Sequence, residues 1–302
     1  MKLLQFHLPG KGIRAGVLDG DRVQDIASAD ASLSTVIDIL HRSIEERISM
    51  DDVVERALNE GSEVRTFSYA ELDVSHEDGV PHLTIPITAP EVWGFGVTYR
   101  RSAVDRDVDS QQDIYTRVYF GERPEVFFKA TPSRCVGTNG YICCRQDSSL
   151  TAVEAELAYV LGADREIVGY TICNDVSAWD IERENPLYLT QSKTFLGCCA
   201  IGPVLVTASE LPDPYSLDIS CRIFRKGKLA YEGGVNTEQI HRRFDELTEY
   251  LYRDNSIPAG TTVSTGTGIM VPNELALEEG DRVEIEIEGI GLLANPVKKL
   301  RG

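Results

Sequence analysis

The stretch EAELAYVLGADREIVGYTICND, residues 154–175, contains two runs, AELAYVL and EIVGYTI, that are typical of core β-strands. Similar β-branched and aromatic runs occur on both sides of it, separated by Gly, Pro and Asn-Asp: VWGFGVTY, EVFFKA, AIGPVLVT, LDISCRIF and DRVEIEIEGI. Many short, unequal strands with few helices favour a closed or folded β architecture over a doubly wound sheet.

The residues before Pro90 read as a small α+β module. Residues 2–8 and 13–18 alternate as short strands, and the Asp-Gly pair that follows them is a hairpin-type turn signal. Apolar residues then recur at helical spacing after Ser34, which we expect to be the N-cap. A second helix is predicted over residues 51–58.

A polar, acidic stretch at residues 75–79 indicates where the chain divides. It predicts a small N-terminal α+β domain over residues 1–85 and a larger domain over residues 86–302. In the larger domain, one long amphipathic helix is predicted over residues 237–253 because its apolar residues share one face.

The composition excludes several classes of partner. The chain has 302 residues, a formal net charge of −18 and a pI near 4.7, which argues against nucleic acid and anionic membranes. Seven Cys without a Cys-x-x-Cys pair indicate free, buried thiols in a reducing compartment. With no signal peptide or membrane span recognisable, the expected location is the cytoplasm. The acidic, Lys-poor composition suits a high-salt cytoplasm or an ordinary acidic enzyme equally well.

A few side chains could carry chemistry. Glu154 and Glu156 alternate along a predicted strand and therefore share a face; they are either an exposed polar edge or a pair that needs a cation such as Mg²⁺, Mn²⁺ or Ca²⁺. Asp175 ends the next core strand, where it either forms a turn or joins that pair. Lys193 is either a surface residue or a partner for these carboxylates. The turn at residues 266–268 is either a plain turn or a donor of N–H groups to an anion.

Taken in order, these segments resemble the fumarylacetoacetate-hydrolase superfamily over roughly residues 90–302. The matching segments are GFGVTYRRS (94–102), RPEVFFKATPSRCVG (123–137), EAELAYVLG (154–162), GYTICNDVSAWDIE (169–182), QSKTFLGCCAIGP (191–203), TGTGIMVP (265–272) and GDRVEIEIEGIGLLANPV (280–297). The resemblance implies a β-rich α+β fold, the mixed β-sandwich roll of this superfamily with a small N-terminal α+β domain, assembled as a homodimer or homotetramer.

The resemblance also implies a set of functional residues. Glu154, Glu156 and Asp175 would be the metal ligands, with Mg²⁺ as the expected ion and Mn²⁺ or Ca²⁺ as alternatives. Lys193 would be the catalytic lysine of the superfamily. Thr267, in the glycine-rich turn, would contact the carboxylate of the substrate.

One motif departs from the hydrolase and decarboxylase members. These typically read Gly-x-Asn-Tyr-x-x-His, whereas residues 96–102 read GVTYRRS, so that Ser102 stands where the histidine would be. The usual Arg of the Asn-Asp motif is likewise replaced, by Trp179. Hydrolysis of a carbon–carbon bond needs a base close to water, and the superfamily's usual base is missing here.

The variant motifs resemble another branch of the superfamily, the 2-keto-3-deoxy-pentonate dehydratases of the arabinonate and xylonate types. There Glu125 would be a catalytic acid–base residue and Lys129 a neighbouring substrate contact. Tyr99, Arg100 and Ser102 of the variant first motif would also bind the substrate.

The function expected from this resemblance is Mg²⁺-dependent dehydration of a 2-keto-3-deoxy-pentonate to 2,5-dioxopentanoate through a metal-stabilised enolate. Whether Glu125 or Lys193 takes the proton stays open. The alternatives are an acylpyruvate or fumarylacetoacetate-type hydrolase, an oxaloacetate decarboxylase, and a non-catalytic ligand-binding protein on the same scaffold. Arg100, Arg101 and Arg106 are either readers of a phosphorylated or longer acid or surface charges.

Overall fold

The computed structural model of the chain describes residues 1–61, 63–110 and 113–301. The N-terminal part of the chain alternates short strands with short helices. Its elements are β1 (Lys2–Leu8), β2 (Gly12–Asp19), β3 (Arg22–Asp25), α1 (Ile26–Ala29), α2 (Val36–Glu46), α3 (Met50–Glu60), β4 (Thr66–Ser68), α4 (Tyr69–Leu72) and β5 (His82–Leu83).

The predicted turn and helices of this part are present, with one correction. The Asp-Gly turn joins β2 to β3, with Gly20 in the left-handed region at φ 60°. Helix α2 is capped by Thr35, and the prediction that Ser34 is the N-cap was wrong. The carbonyl of Ser34 accepts a hydrogen bond from the backbone N–H of Ala15, while Thr35 and Asp38 form a reciprocal capping box.

The remaining residues form most of the sheet structure and the helices that surround the candidate site. Their elements are β6 (Val92–Gly96), α5 (Arg100–Ser110), α6 (Ile114–Phe120), β7 (Glu125–Ala130), β8 (Cys135–Val136), β9 (Ile142–Cys144), β10 (Thr151–Ala152), β11 (Ala155–Leu161), β12 (Ile167–Asp175), β13 (Ser177–Ala178), α7 (Trp179–Glu184), α8 (Leu189–Lys193), β14 (Cys199–Thr207), β15 (Asp218–Arg225), β16 (Lys228–Asn236), α9 (Phe244–Tyr252), β17 (Thr262–Ser264), β18 (Arg282–Ile287) and β19 (Gly291–Lys299).

Two sheets pack against each other. Within the described residues, a 12-stranded sheet has the central order β1-β14-β12-β11-β17-β6-β7, and a five-stranded sheet has the order β16-β15-β18-β19-β9. Strands β11, β12 and β14 of the first sheet contact β15, β18 and β19 of the second. The sequence therefore predicted the fold class correctly: the protein is a β-rich α+β fold built on a mixed, folded sheet pair.

The N-terminal strands extend the large sheet. β1 pairs antiparallel with β14, so that the order β4-β3-β2-β1 continues directly into the strands that carry the candidate site. Helices α2 and α3 cover a second apolar cluster, which also includes Val160 of β11 and Leu205 of β14. None of the helices in the described part of the chain has the length and apolar character needed to cross a membrane.

The predicted long helix over residues 237–253 is only partly present, because a short 3₁₀ turn is followed by α9. Between them, Ile240 pairs with Tyr99 and the backbone N–H of His241 donates to the carbonyl of Thr98. Tertiary pairing thus replaces the first turns of the expected helix. Helices α5 and α6, which the sequence did not reveal, follow Tyr99 and lie over the candidate site.

Candidate active site

Three carboxylates meet where β11 begins and β12 ends. The two strands are antiparallel, with Ala155 opposite Asn174, so that the start of one lies beside the end of the other. Glu154 directly precedes β11, and its carbonyl accepts the backbone N–H of Asp175 at 3.0 Å. Ligand atoms of Glu154, Glu156 and Asp175 all lie within 4.8 Å of one another, and the three residues are at most 2% exposed. The structure therefore brings together the three residues that the sequence singled out.

Two cationic groups contact Glu154 directly. Lys193, at the end of α8 and 3% exposed, donates from Nζ to Glu154 Oε1 and to Asp175 Oδ2, both at 2.9 Å. Arg106 of α5 places Nη2 3.0 Å from Glu154 Oε1, and Trp179 Nε1 donates to the same oxygen at 2.7 Å. Burial alone would raise the pKa of Glu154, but the charges of Lys193 and Arg106 outweigh burial and hold that pKa below its ordinary value.

Lys129 lies behind the carboxylates. It is fully buried on β7, with Nζ 2.5 Å from Asp175 Oδ1, and it also donates to the carbonyls of Val176 and Lys193. Burial would lower the pKa of each lysine, but Asp175 outweighs it for Lys129, and Asp175 with Glu154 outweighs it for Lys193, so that both pKa values lie above the ordinary value. Both lysines are therefore cations that fix the orientation of Asp175.

Glu156 has a different environment from Glu154. Its Oε2 accepts hydrogen bonds from Ser264 Oγ and, at 2.8 Å, from the backbone N–H of Gly266. Burial, followed by the negative charges of Asp175 and Glu154, raises the pKa of Glu156 to about 8. Three adjacent carboxylates of this kind are all ionised at neutral pH only beside a further positive charge.

The donor set of this site fits a hard divalent cation. All three candidate ligands are carboxylates, and Mg²⁺, Mn²⁺ and Ca²⁺ prefer oxygen ligands. Burial and the charges of Asp175 and Glu154 raise the pKa of Glu156, and a bound cation would offset these effects. The site therefore fits Mg²⁺ on the chemistry of its own residues.

A narrow, mostly polar cavity opens from the carboxylates. Ser102, Glu125 and Thr267 line its wall together with the triad, Lys193 and Arg106. Within the described residues, no histidine lines this cavity. The site thus offers a carboxylate, a lysine and hydroxyl groups, without an imidazole.

Glu125 occupies space that its neighbour on β6 leaves open. Gly96 lies opposite Glu125 across the β6–β7 pair, and a Cβ added at Gly96 would overlap Glu125 Oε2. Burial, followed by the nearby charge of Glu182, raises the pKa of Glu125 to about 7. A carboxyl group with this pKa can take up and release a proton near neutral pH.

Helix α5 covers the cavity and packs against α6. Arg106 of α5 contacts both Glu154 and Glu182, the latter at 2.5 Å, and the hydroxyl of Tyr115 donates to Glu182 at 3.3 Å. Val97, in the turn that leads from β6 to α5, has φ 57°, a conformation that β-branched residues rarely adopt. Uncommon backbone of this kind is often found at functional sites.

Three residues predicted to bind substrate lie off the cavity wall. Tyr99 is buried behind Glu156, whose charge, after burial, raises the pKa of the phenol. Arg100 is exposed at the start of α5, and Lys129 is the buried partner of Asp175. Their roles as substrate contacts stay predictions, and the structure places Tyr99 and Lys129 in a supporting position.

Sequence reasoning assigned no role to two residues that hold this site together. Ser264 ends β17 and donates to Glu156, whereas Glu182 lies on α7 between Arg106 and Tyr115. Trp179 was noted only as a departure from the superfamily, yet its indole holds Glu154. The only signal for Glu182 was its place three residues after Trp179 in the same quoted motif.

The chain belongs to the fumarylacetoacetate hydrolase family. Residues 91–298 match the family described as "Fumarylacetoacetate (FAA) hydrolase C-terminal". This match confirms the resemblance stated from the sequence motifs.

Three proteins similar to this chain are dehydratases of 2-keto-3-deoxy sugar acids. The chain is 47% identical over 249 residues to a 2-dehydro-3-deoxy-D-arabinonate dehydratase of Saccharolobus solfataricus, covering 80% of this chain and 83% of the relative. It is 42% identical over 274 residues to a probable 2-keto-3-deoxyxylonate dehydratase of Haloferax volcanii, covering 90% and 91%. A solved structure of 2-keto-3-deoxy-D-arabinonate dehydratase, complexed with magnesium and 2,5-dioxopentanoate, matches with a TM-score of 0.83 and 40% identity over the whole of both chains.

Proposed function

We propose that this protein is a Mg²⁺-dependent hydro-lyase that converts a 2-keto-3-deoxy-pentonate to 2,5-dioxopentanoate. The observation that carries the proposal is the buried triad of Glu154, Glu156 and Asp175, whose ligand atoms lie within 4.8 Å of one another beside Lys193. The dehydratases that resemble the chain along most of its length support the same reaction.

Glu154, Glu156 and Asp175 would hold the Mg²⁺ ion, with Mn²⁺ or Ca²⁺ as possible replacements. When bound, the ion supplies a Lewis acid that polarises the 2-oxo group and makes the protons on carbon 3 more acidic. Ser264 and Gly266 fix Glu156 by donating to it, and Trp179 fixes Glu154. Such supporting hydrogen bonds orient metal ligands and tune their affinity.

The remaining residues of the cavity have separate roles in charge stabilisation, proton transfer and substrate binding. Lys193 remains a cation between Glu154 and Asp175, so it stabilises negative charge that develops on the 2-oxo oxygen. Glu125 lies across the cavity and titrates near neutral pH, which suits a group that takes a proton from carbon 3. Thr267 and Ser102 line the same cavity, and their hydroxyl groups would donate hydrogen bonds to the carboxylate and hydroxyl groups of the substrate.

The reaction balances with no further reactant. Glu125 takes a proton from carbon 3, the bond between carbon 4 and its hydroxyl breaks, and the hydroxyl leaves as water after it gains a proton. The resulting 5-hydroxy-2-oxo-3-enoate then tautomerises to 2,5-dioxopentanoate. No carbon–carbon bond breaks, so the reaction needs no water activated by a histidine.

Three further features belong to the proposal. The N-terminal residues 1–85 form a small domain ahead of the catalytic residues 86–302, a division supported by the start of the family match at residue 91. The protein assembles as a homodimer or homotetramer, and it works in the cytoplasm on a small 2-oxo acid, without nucleic acid or membrane as a partner. Its acidic net charge supports this choice of partners.

A panel of substrates tests the proposal. With Mg²⁺ present, we expect turnover of 2-keto-3-deoxy-pentonates and little cleavage of acylpyruvates or loss of CO₂ from oxaloacetate. Cleavage or decarboxylation without dehydration would establish that the protein is a hydrolase or a decarboxylase. It would also show that these reactions proceed with Ser102 in place of the histidine. Glu125→Gln should fold normally and slow dehydration by roughly 10²–10⁴-fold.

A further inference from the structure

A second cavity, of about 300 Å³, lies next to the narrow one. Most of its wall is apolar and comes from α6, the first residue of α8 and three residues near β6, β7 and α8: Val97, Ile114, Val118, Pro124, Pro186 and Leu189. Tyr115, Arg123, Glu125 and Glu182 add polar groups at its edge. A volume of this size is at the lower end of the range of small-molecule pockets.

The two cavities share part of their walls. Val97 and Glu125 line both of them. The uncommon φ of 57° at Val97 therefore occurs at the junction between the cavities. A molecule that reaches from the carboxylate triad past Glu125 would enter the apolar cavity.

The proposed function fixes the direction of such a molecule, and the inference rests on it. In the proposed reaction, the carboxylate and 2-oxo group would lie at the triad, and carbon 3 would face Glu125. Carbons beyond carbon 4 would then extend past Glu125 toward the side chains of Val118 and Leu189, which line the second cavity. A five-carbon sugar acid ends in a hydroxyl group and has no apolar group to bury against these side chains.

We infer that the protein also dehydrates 4-hydroxy-2-oxo acids that carry an apolar alkyl tail beyond carbon 4. Glu125 takes the proton from carbon 3, the bond between carbon 4 and its hydroxyl breaks, and water leaves. The product is a 2-oxo-3-enoate, which cannot go on to a 2,5-dioxo acid because its carbon 5 has no hydroxyl group. The apolar cavity is the subsite for the tail.

A chain-length series tests this inference. The substrates are 4-hydroxy-2-oxopentanoate, 4-hydroxy-2-oxohexanoate and 4-hydroxy-2-oxoheptanoate. The ultraviolet absorbance of the 2-oxo-3-enoate product reports turnover. We expect kcat/KM to rise by about fourfold for each added methylene group, since each one leaves water for an apolar wall. The same 2-oxo acids without the 4-hydroxyl group should inhibit pentonate turnover more strongly as they lengthen, which measures binding independently of chemistry.

Filling the cavity supplies the matched comparison. In the Val118→Trp variant, kcat/KM should no longer rise with the length of the substrate, while turnover of the pentonate continues. Val108→Trp, on α5 with a side chain that is 72% exposed, should leave the series unchanged. If Val118→Trp does not fold, Leu189→Phe narrows the same cavity from α8.

The outcomes separate the two proposals. Turnover of the pentonate with a flat or falling chain-length series would overturn the apolar subsite and leave the dehydratase intact. A rising series that Val118→Trp does not change would also overturn the assignment of this cavity. Failure of the pentonate itself would refute the proposed function, and the inference would fall with it.

Discussion

Substituting Gly96 by Ala tests whether the position of Glu125 governs the reaction rate. A Cβ at Gly96 would lie 2.7 Å from Glu125 Cδ and closer still to Oε2, whereas ordinary contacts are 3.4–4 Å. The carboxylate must therefore move by roughly 1 Å, a displacement that can lower a rate by about 100-fold. The atoms that overlap are the end of a side chain, so the strand itself has no reason to move.

We therefore expect Gly96→Ala to lower kcat on a 2-keto-3-deoxy-pentonate by roughly 100-fold. The free energy of unfolding should change by less than about 1 kcal/mol, because Ala replaces Gly at a strand position without a left-handed φ. Gly234→Ala is the matched control, since Gly234 is an exposed strand glycine in the other sheet. Steady-state kinetics and thermal unfolding measure the two effects.

A double-mutant cycle identifies the cause. If Gly96→Ala acts by displacing Glu125, then adding it to Glu125→Gln should lower the rate little further. Two fully additive losses would refute this reasoning, and so would a Gly96→Ala variant with wild-type kcat.

Four further predictions follow from the same geometry. The pKa of Glu156 is about 8 in the folded protein and 4.5 ordinarily, so between these pH values the folded state holds a proton that the unfolded state has released. The free energy of unfolding of the metal-free protein should therefore fall as the pH rises from 4.5 to about 8. In EDTA, the difference in Tm between Glu156→Gln and the wild type should grow over that range. A difference that does not change with pH would contradict the raised pKa of Glu156. Trp179→Phe removes the hydrogen bond to Glu154, and isothermal titration should show metal affinity reduced about 10- to 100-fold. The pH profile of kcat/KM should fall below about pH 7, as the Glu125 base becomes protonated, and Glu125→Gln should lose that limb. Thr35→Ala removes the cap of α2, and denaturant unfolding should show a loss of about 1 kcal/mol with kcat unchanged.

Local sequence patterns were sufficient to predict the strands and to single out the three carboxylates. Runs such as AELAYVL can be buried only as strands or helices, and their length and β-branched residues favour strands. The position of Asp175 at the end of such a run indicated either a turn residue or a third carboxylate beside Glu154 and Glu156. The metal-binding role of these residues, and the identity of Glu125 as an acid–base group, came from the resemblance.

The features that the sequence did not predict depend on tertiary contacts. Helix α5 is polar along its length and has no amphipathic pattern, because it covers a polar cavity through Arg106. The expected helix over residues 237–253 is shortened because Ile240 pairs with Tyr99, far away in sequence. The contact between Trp179 and Glu154 likewise joins residues that no local pattern connects.

The most direct test of the account follows 2-keto-3-deoxy-D-arabinonate by nuclear magnetic resonance with Mg²⁺, after EDTA, and after Mg²⁺ is restored. We expect 2,5-dioxopentanoate and water to form only when Mg²⁺ is present, and the Glu156→Gln variant to stay inactive at every stage. Equal turnover in EDTA, or an unchanged pentonate in the presence of Mg²⁺, would contradict a metal-dependent dehydratase built on this triad.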